Sequence, residues 1–138
     1  RDPFHARYAY RYNYPLDAER MHEGAQRFVG THDFASVRSQ GTPVKSTVRT
    51  IFWCDVDKID DLIRIRVCGD GFLYNMVRAI SGTLVYVGGG KLRPDDVADV
   101  LASCDREQAG PTLPACGLFM NRLWYDHTSE LDRFRLGD

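Results

Sequence analysis

The sequence lacks a cysteine pair, a cluster of metal ligands and a long apolar run. Its four cysteines stand at positions 54, 68, 104 and 116, so no Cys-x-x-Cys pair occurs, and the four histidines have no ligand-like spacing. Zinc and redox sites are therefore not expected, and the thiols are predicted to be mostly core residues in a reducing compartment. Because no segment resembles a signal peptide or a membrane-spanning helix, we expect a cytoplasmic protein without membrane contact.

An excess of basic charge is also missing, since 18 Lys and Arg face 19 Asp and Glu and the formal net charge is −1. The chain therefore lacks the strong positive charge of many nucleic-acid-binding proteins, although a neutral total can hide a basic face opposite an acidic one. Its 138 residues predict one domain with its own core, over residues 1–126, followed by a polar tail over 127–138. The first residue is Arg1 rather than Met, and we expect the chain to be a fragment.

The apolar pattern predicts an α+β domain, with a mostly antiparallel sheet and helices packed on one of its faces. Tyr8, Tyr10, Tyr12 and Tyr14 alternate within residues 1–16, which indicates an extended segment with its tyrosines on one side. Further strands are predicted over residues 48–57, 62–68 and 117–125, and a polar, turn-rich stretch over 31–47. Helices are predicted to begin at Asp17, near Phe72 and at Pro94.

Two glycine-rich turns match nucleotide-binding loops only in part. Gly69 and Gly71 lack the third glycine of the dinucleotide fingerprint, because Tyr74 stands in its place. Gly90-Lys91 is followed by Leu92, where a phosphate loop requires Ser or Thr. Both are interpreted as turns that need glycine for a positive φ or for close backbone contact.

Basic residues alternate with aliphatic ones along the second predicted strand of the hairpin. Arg64 and Arg66 would form a solvated face of an antiparallel sheet, which the pattern favours in the absence of a partner. The alternative is an RNA-facing surface that also includes Lys45, Arg49 and the tyrosine row, because basic residues hold phosphates and aromatic rings stack on bases.

Arg78 is the unusual residue of the stretch GDGFLYNMVRAISG, residues 69–82. It lies beside an apolar stripe on the predicted helix, where an arginine is expected to reach water or a carboxylate. Gly82, one turn further on, would leave room beside it. Periodicity alone does not distinguish an arginine that extends to solvent from one that forms a functional site.

Three segments resemble one enzyme family in the same order and with the same spacing. They are YPLDAERMHEGAQRFVGTHDFASVR, GFLYNMVRAISGTLVYVGGGKL and DREQAGPTLPACGLF, and the resemblance extends over about residues 1–126. Together they resemble the C-terminal half of the tRNA pseudouridine synthase A (TruA) family.

The resemblance implies a pseudouridine synthase-like fold and a reaction without a cofactor. Such enzymes isomerise uridine to pseudouridine in the tRNA anticodon stem-loop, at tRNA positions 38–40. An aspartate attacks a nucleoside that has left the base stack. Arg78 matches the family arginine that pairs with this aspartate, and Leu118 matches the position that packs against the target uracil. The family also implies tRNA as a partner and a homodimer.

One part of the family pattern is absent from the chain. The catalytic aspartate of the family lies in an Arg-x-Asp-x-Gly motif in the N-terminal half, and no such motif occurs here. Tyr10-Arg11-Tyr12 resembles the family segment with the base-stacking tyrosine, but its surroundings align better with a later stretch, so we assign no stacking role. We therefore expect half of an active site, inactive without the N-terminal half. The alternative is a non-catalytic module for RNA binding or dimerisation.

Overall fold

The computed structural model describes residues 3–13, 15–39 and 43–122, with only the backbone described at 121 and 122. Within these residues the chain forms one antiparallel sheet of five strands, in the order β2-β3-β4-β1-β5, together with three helices. The strands are β1 (Phe4–Arg11), β2 (Gly30–Asp33), β3 (Val48–Ile59), β4 (Leu62–Gly69) and β5 (Leu118–Arg122). The helices are α1 (Ala18–Ala25), α2 (Met76–Gly88) and α3 (Asp96–Ser103). The predicted α+β class is confirmed.

One face of the sheet carries the core. The register places Tyr8 and Val56 on either side of Ile65, and all three are buried. Their neighbours on this face and the apolar sides of the helices form a single cluster of buried residues. The predicted apolar stripe lies within that cluster: Val77, Ile80, Leu84 and Val87 belong to α2, and Leu73 precedes the helix. Because side chains alternate along a strand, Arg7, Arg64 and Arg66 lie on the opposite face.

The hairpin of β3 and β4 forms where alternation predicts it. Its turn needs only two residues, and Asp60 takes a φ of 54° there. β2 was not predicted, because residues 31–47 were expected to be turns. Its four residues pair with the beginning of β3, and the hydroxyl oxygens of Thr31 and Thr50 lie 2.8 Å apart. A short polar edge strand of this kind has no apolar alternation to detect.

Helix α2 begins four residues later than predicted. Asn75 has a φ of 60° and a ψ of 14°, in the left-handed region, so a helix cannot extend backward through it from Met76. The preceding turn begins at Gly69, where an added Cβ would lie 2.8 Å from the carbonyl oxygen of Thr50. Gly69 is therefore required for close backbone contact, as expected.

The other helices differ from prediction only near their ends. The Asp17 carboxylate accepts a hydrogen bond from the N–H of Arg20 at 3.1 Å, as its predicted role as N-cap requires. Helix α3 begins at Asp96, two residues after Pro94. Tyr14, the last residues of the third predicted strand and the predicted polar tail lie outside the described residues. No helix in the described part of the chain has the length and apolar character needed to cross a membrane.

Candidate active site

A cavity of about 330 Å³ opens between the beginning of α2 and strand β5. Its lining includes Arg78 and Leu118, the two residues that the family resemblance selected. Tyr74 and Met120 also line it and remain 63% and 46% exposed. The cavity therefore places one guanidinium among mainly apolar side chains.

The guanidinium of Arg78 is held at two of its three nitrogens. Nε donates to the carbonyl oxygen of Leu113 at 2.6 Å, and Nη1 donates to Oδ1 of Asn75 at 2.8 Å. The third nitrogen, Nη2, has no hydrogen-bond partner among the described residues, and no described carboxylate forms an ion pair with Arg78. The arginine is therefore oriented by neutral oxygens, with its charge uncompensated.

The loop over residues 109–117 positions the carbonyl group that holds Arg78. The N–H of Leu113 donates to the backbone oxygen of Arg78 at 3.3 Å, and the N–H of Gly110 donates to Oγ1 of Thr83 at 2.9 Å. The room beside Gly82 was expected to serve Arg78, but the carbonyl group of Pro111 fills it. A Cβ at position 82 would overlap that oxygen, so the glycine allows the loop to lie against α2.

Two further side chains fix the loop from outside α2. Arg106 donates from Nη1 to the carbonyl oxygen of Gly110 at 2.6 Å and from Nη2 to Oγ1 of Thr112 at 2.8 Å. The hydroxyl group of Tyr8 donates to the carbonyl oxygen of Pro114 at 2.6 Å. Burial raises the pKa of Tyr8, while the positive charge of nearby Arg78 acts in the opposite direction. The phenol therefore stays protonated and able to donate at neutral pH.

Leu118 reaches the cavity through the register of β5. It pairs with Tyr8 of β1 and is partly buried against the core. Met120 is two residues further along β5, so both side chains lie on the face that carries α2. This arrangement gives the cavity an apolar wall beside the arginine.

Arg64 and Arg66 lie on the other face of the sheet, away from Arg78. Asp57 accepts from Nε and Nη2 of Arg64 at 3.0 and 2.5 Å, and Asp55 accepts from Nε of Arg66 at 3.0 Å. The interpretation as a solvated face is wrong, because Arg64 is only 9% exposed and the carboxylates of β3 stand directly opposite both arginines. The hydrogen bond from Arg64 lowers the pKa of Asp57. A substrate-binding role for this pair stays a prediction.

The predicted RNA-facing surface is not assembled as one unit. Tyr8 and Tyr10 lie on the core face, opposite to the face of Arg64 and Arg66. Lys45 is exposed and forms no ion pair among the described residues. Arg49 donates from Nη1 to the carbonyl oxygens of Ser46 and Val48, and its side chain lies beside Gly71, in the turn that leads to α2. Contact of Lys45 and Arg49 with RNA stays a prediction.

Sequence reasoning missed three residues that hold the arginine: Asn75, Leu113 and Arg106. A signal was available only for Asn75, because asparagine is enriched at left-handed positions and stands three residues before Arg78. The other two act through a loop whose path the sequence does not reveal. Among the described residues, no group of three His, Cys, Asp or Glu side chains is arranged to hold a metal ion.

Comparison with known proteins identifies the family. The family model described as tRNA pseudouridine synthase matches residues 25–126. The tRNA pseudouridine synthase A of Bacillus velezensis is 46% identical over 126 residues, which cover 91% of this chain and 51% of that protein. The protein of the same name from Brevibacillus brevis is 48% identical over 124 residues, which cover 90% of this chain and 51% of that protein.

A third relative, tRNA pseudouridine synthase A of Bacillus subtilis, is 44% identical over 126 residues, again covering 91% of this chain and 51% of that protein. The chain thus spans about half the length of the curated relatives it matches. On the family match and these identities, the chain belongs to the tRNA pseudouridine synthase family, within its TruA branch.

Proposed function

We propose that this chain forms the C-terminal half of the active site of an enzyme that converts uridine to pseudouridine in the tRNA anticodon stem-loop, at positions 38–40. The observation that carries the proposal is the shared cavity of Arg78 and Leu118, in which Nη2 of the arginine has no described partner. A catalytic aspartate from the N-terminal half of the same enzyme would supply that partner.

The chemistry divides between the two halves. The aspartate must be ionised to attack the nucleoside, and a guanidinium beside it favours the charged form and fixes its orientation. The glycosidic bond between N1 and C1′ then breaks, the uracil turns, and it rejoins the ribose through C5, while the bond to the aspartate is released, the C5 proton leaves and N1 takes up a proton. Arg78 would orient the nucleophile, while Leu118 packs against the flipped base. The apolar wall strengthens the ion pair, because charges attract more strongly where water is excluded.

We also propose the binding partners of the protein and its location in the cell. The substrate is tRNA, the N-terminal half completes the site, the active protein is a homodimer in the cytoplasm, and no cofactor takes part. Further tRNA contacts are proposed at Lys45, Arg49, Arg64 and Arg66. Of these four, exposed Lys45 has the charge most accessible to a phosphate group.

A second candidate function is a non-catalytic module for RNA binding or dimerisation. The observation that favours it is the absence of any carboxylate paired with Arg78 among the described residues. This module would bind tRNA in a salt-dependent manner, or self-associate, without changing a uridine.

The test is tritium release from tRNA labelled at carbon 5 of uridine. This chain and the full-length product of the gene that encodes it are assayed side by side, each as wild type, Arg78→Ala and Arg93→Ala. Arg93 is a matched control, because its side chain is 77% exposed and, among the described residues, its ion pair is with Asp96, three residues further along the chain. We expect release by the full-length wild type and by its Arg93→Ala variant only.

Two results would contradict the proposal. Release by this chain alone would place the nucleophile among its own aspartates. Full tritium release by the Arg78→Ala variant of the full-length protein would show that the arginine is not required for the reaction. Salt-sensitive tRNA binding without any release from the full-length protein would favour the non-catalytic module.

A further inference from the structure

We infer that Asn75 is a positioning residue, which holds the guanidinium of Arg78 so that Nη2 alone is presented to the cavity. The geometric part of this inference concerns the chain by itself. Its consequence for turnover rests on the proposed function.

Asn75 differs from most asparagines at the N-cap position of a helix. It is the N-cap of α2, where an Asn side chain normally accepts a hydrogen bond from the first turn of the helix. Its side chain makes no such capping bond, and the backbone takes the left-handed conformation instead. The amide is thereby directed away from the helix end and toward Arg78. A residue that departs from a local rule in this way is expected at a functional site.

The amide of Asn75 connects two segments of the chain. Nδ2 donates to Oγ of Ser39 at 3.1 Å, and Oδ1 accepts from Nη1 of Arg78 at 2.8 Å. The N–H of Ser39 donates in turn to the carbonyl oxygen of Tyr74 at 3.0 Å. Because a guanidinium only donates, the amide oxygen must face Arg78, so the side chain has one orientation that satisfies both partners.

Two bonds in different directions fix a planar group. The carbonyl oxygen of Leu113 accepts a hydrogen bond from Nε, and the amide oxygen of Asn75 accepts one from Nη1. Rotation about the last side-chain bonds of Arg78 would break at least one of these two hydrogen bonds. Nη2 is the nitrogen without a described partner, and Arg78 lines the cavity, so a carboxylate placed there could accept a hydrogen bond from it. A guanidinium held in advance loses less conformational entropy when that partner arrives.

The chemical identity of the holding group matters as much as its position. Both partners of Arg78 are neutral oxygens, so the full positive charge stays available for a carboxylate from outside. An aspartate at position 75 would neutralise the arginine internally and repel the incoming nucleophile. Asparagine has nearly the shape of aspartate without this competition.

The first experiment measures geometry on this chain, without reference to activity. Nuclear magnetic resonance of nitrogen-15-labelled protein can follow the Hε signal of Arg78 and the rotation rate of its terminal amino groups. The variant Asn75→Gly keeps a residue that tolerates a φ of 60° but removes the amide. We expect rotation at Nη1 to accelerate by about tenfold or more, as for a lost hydrogen bond of about 1.4 kcal/mol, while Hε stays protected by Leu113.

The second experiment measures turnover in the full-length protein. For Asn75→Gly we expect kcat to fall about 10- to 100-fold, the range typical of a misplaced catalytic group, with tRNA affinity unchanged. For Asn75→Asp we expect a larger loss of kcat than for Asn75→Gly, because the introduced carboxylate pairs with Arg78 and competes with the nucleophile for it. A residue with only a structural role would tolerate aspartate, which keeps the shape and the acceptor oxygen, better than glycine.

The two experiments separate the inference from the proposed function. Unchanged rotation at Nη1 in Asn75→Gly would overturn the positioning geometry, whatever the protein does. Normal kcat in a variant whose guanidinium rotates faster would overturn the role in turnover. A full-length wild type without turnover would overturn the proposed function, while the rotation result would still decide the geometry.

Discussion

Arg78 and Leu113 exchange two hydrogen bonds, one through each end of the arginine. The N–H of Leu113 donates to the backbone oxygen of Arg78 at 3.3 Å, and the guanidinium Nε of Arg78 donates to the carbonyl oxygen of Leu113 at 2.6 Å. The backbone of Arg78 therefore fixes the position of the loop along α2, and the loop in turn orients the side chain of Arg78.

Replacing Arg78 by lysine is expected to reduce turnover nearly as much as replacing it by alanine. An ammonium group cannot bind Leu113 and Asn75 at once and still present a further donor in the plane of a guanidinium. We expect a loss of about 100-fold or more in kcat of the full-length protein, which tritium release would measure. Full activity of Arg78→Lys would show that charge alone is sufficient.

Gly82→Ala is expected to destabilise this chain by about 1–3 kcal/mol, as overpacking does. The new Cβ would overlap the carbonyl oxygen of Pro111 and push the loop away from α2. Urea unfolding measures the change in the free energy of unfolding. Gly71→Ala is the control, because a Cβ there would meet the nearest atom, Nε of Arg49, at 3.6 Å, an ordinary contact. Equal effects of the two substitutions would contradict the assigned contact.

Arg106→Ala is expected to lower turnover while the fold is kept. It removes two hydrogen bonds that hold the loop at Gly110 and Thr112, each contributing about 0.5–1.5 kcal/mol to stability. The carbonyl oxygen of Leu113 would then be less well fixed, so kcat should fall more than tRNA affinity. Steady-state kinetics of the full-length protein check this, and Arg93→Ala should be silent. A change confined to KM would argue for direct RNA contact instead.

Asp57 is expected to make stability depend on pH in the acid range. The hydrogen bond from Arg64 lowers its pKa in the folded state, so folding favours the ionised carboxylate. The resulting stabilisation is present above the unfolded-state pKa, about 3.9, and is lost as pH falls through the lower folded-state value. Asp57→Asn should therefore flatten the acid side of the stability curve, measured by urea unfolding at several pH values. An unchanged slope would contradict this role.

The elements found from sequence are those whose apolar pattern is long. Helix α2 and the hairpin of β3 and β4 repeat their period over several turns or pairs, so local pattern and tertiary packing agree. β2 is four residues long and polar at its exposed positions, so it is recognisable only through its pairing with β3. The beginning of α2 depends on a single backbone conformation, at Asn75, which periodicity does not encode.

The site was predictable only where one residue departs from its surroundings. Arg78 interrupts an apolar helix, and family resemblance added Leu118. The exposure of Arg64 was predicted wrongly, because its burial depends on a register that places Asp57 opposite it. The alternation along β4 does not show which side chains of β3 lie opposite its arginines.

The contact between Pro111 and Gly82 has a consequence for how the chain tolerates changes in length. The loop is hydrogen-bonded to α2 at two places, from Leu113 to Arg78 and from Gly110 to Thr83. The loop therefore runs antiparallel to the helix. Arg78 and Thr83 are five residues apart, which is about 7.5 Å along the helix axis. The three residues from Gly110 to Leu113 must span this distance, and their backbone has little length to spare. Most surface loops accept insertions, but one added residue here would shift the carbonyl group that orients the arginine. This loop therefore behaves as a spacer of fixed length.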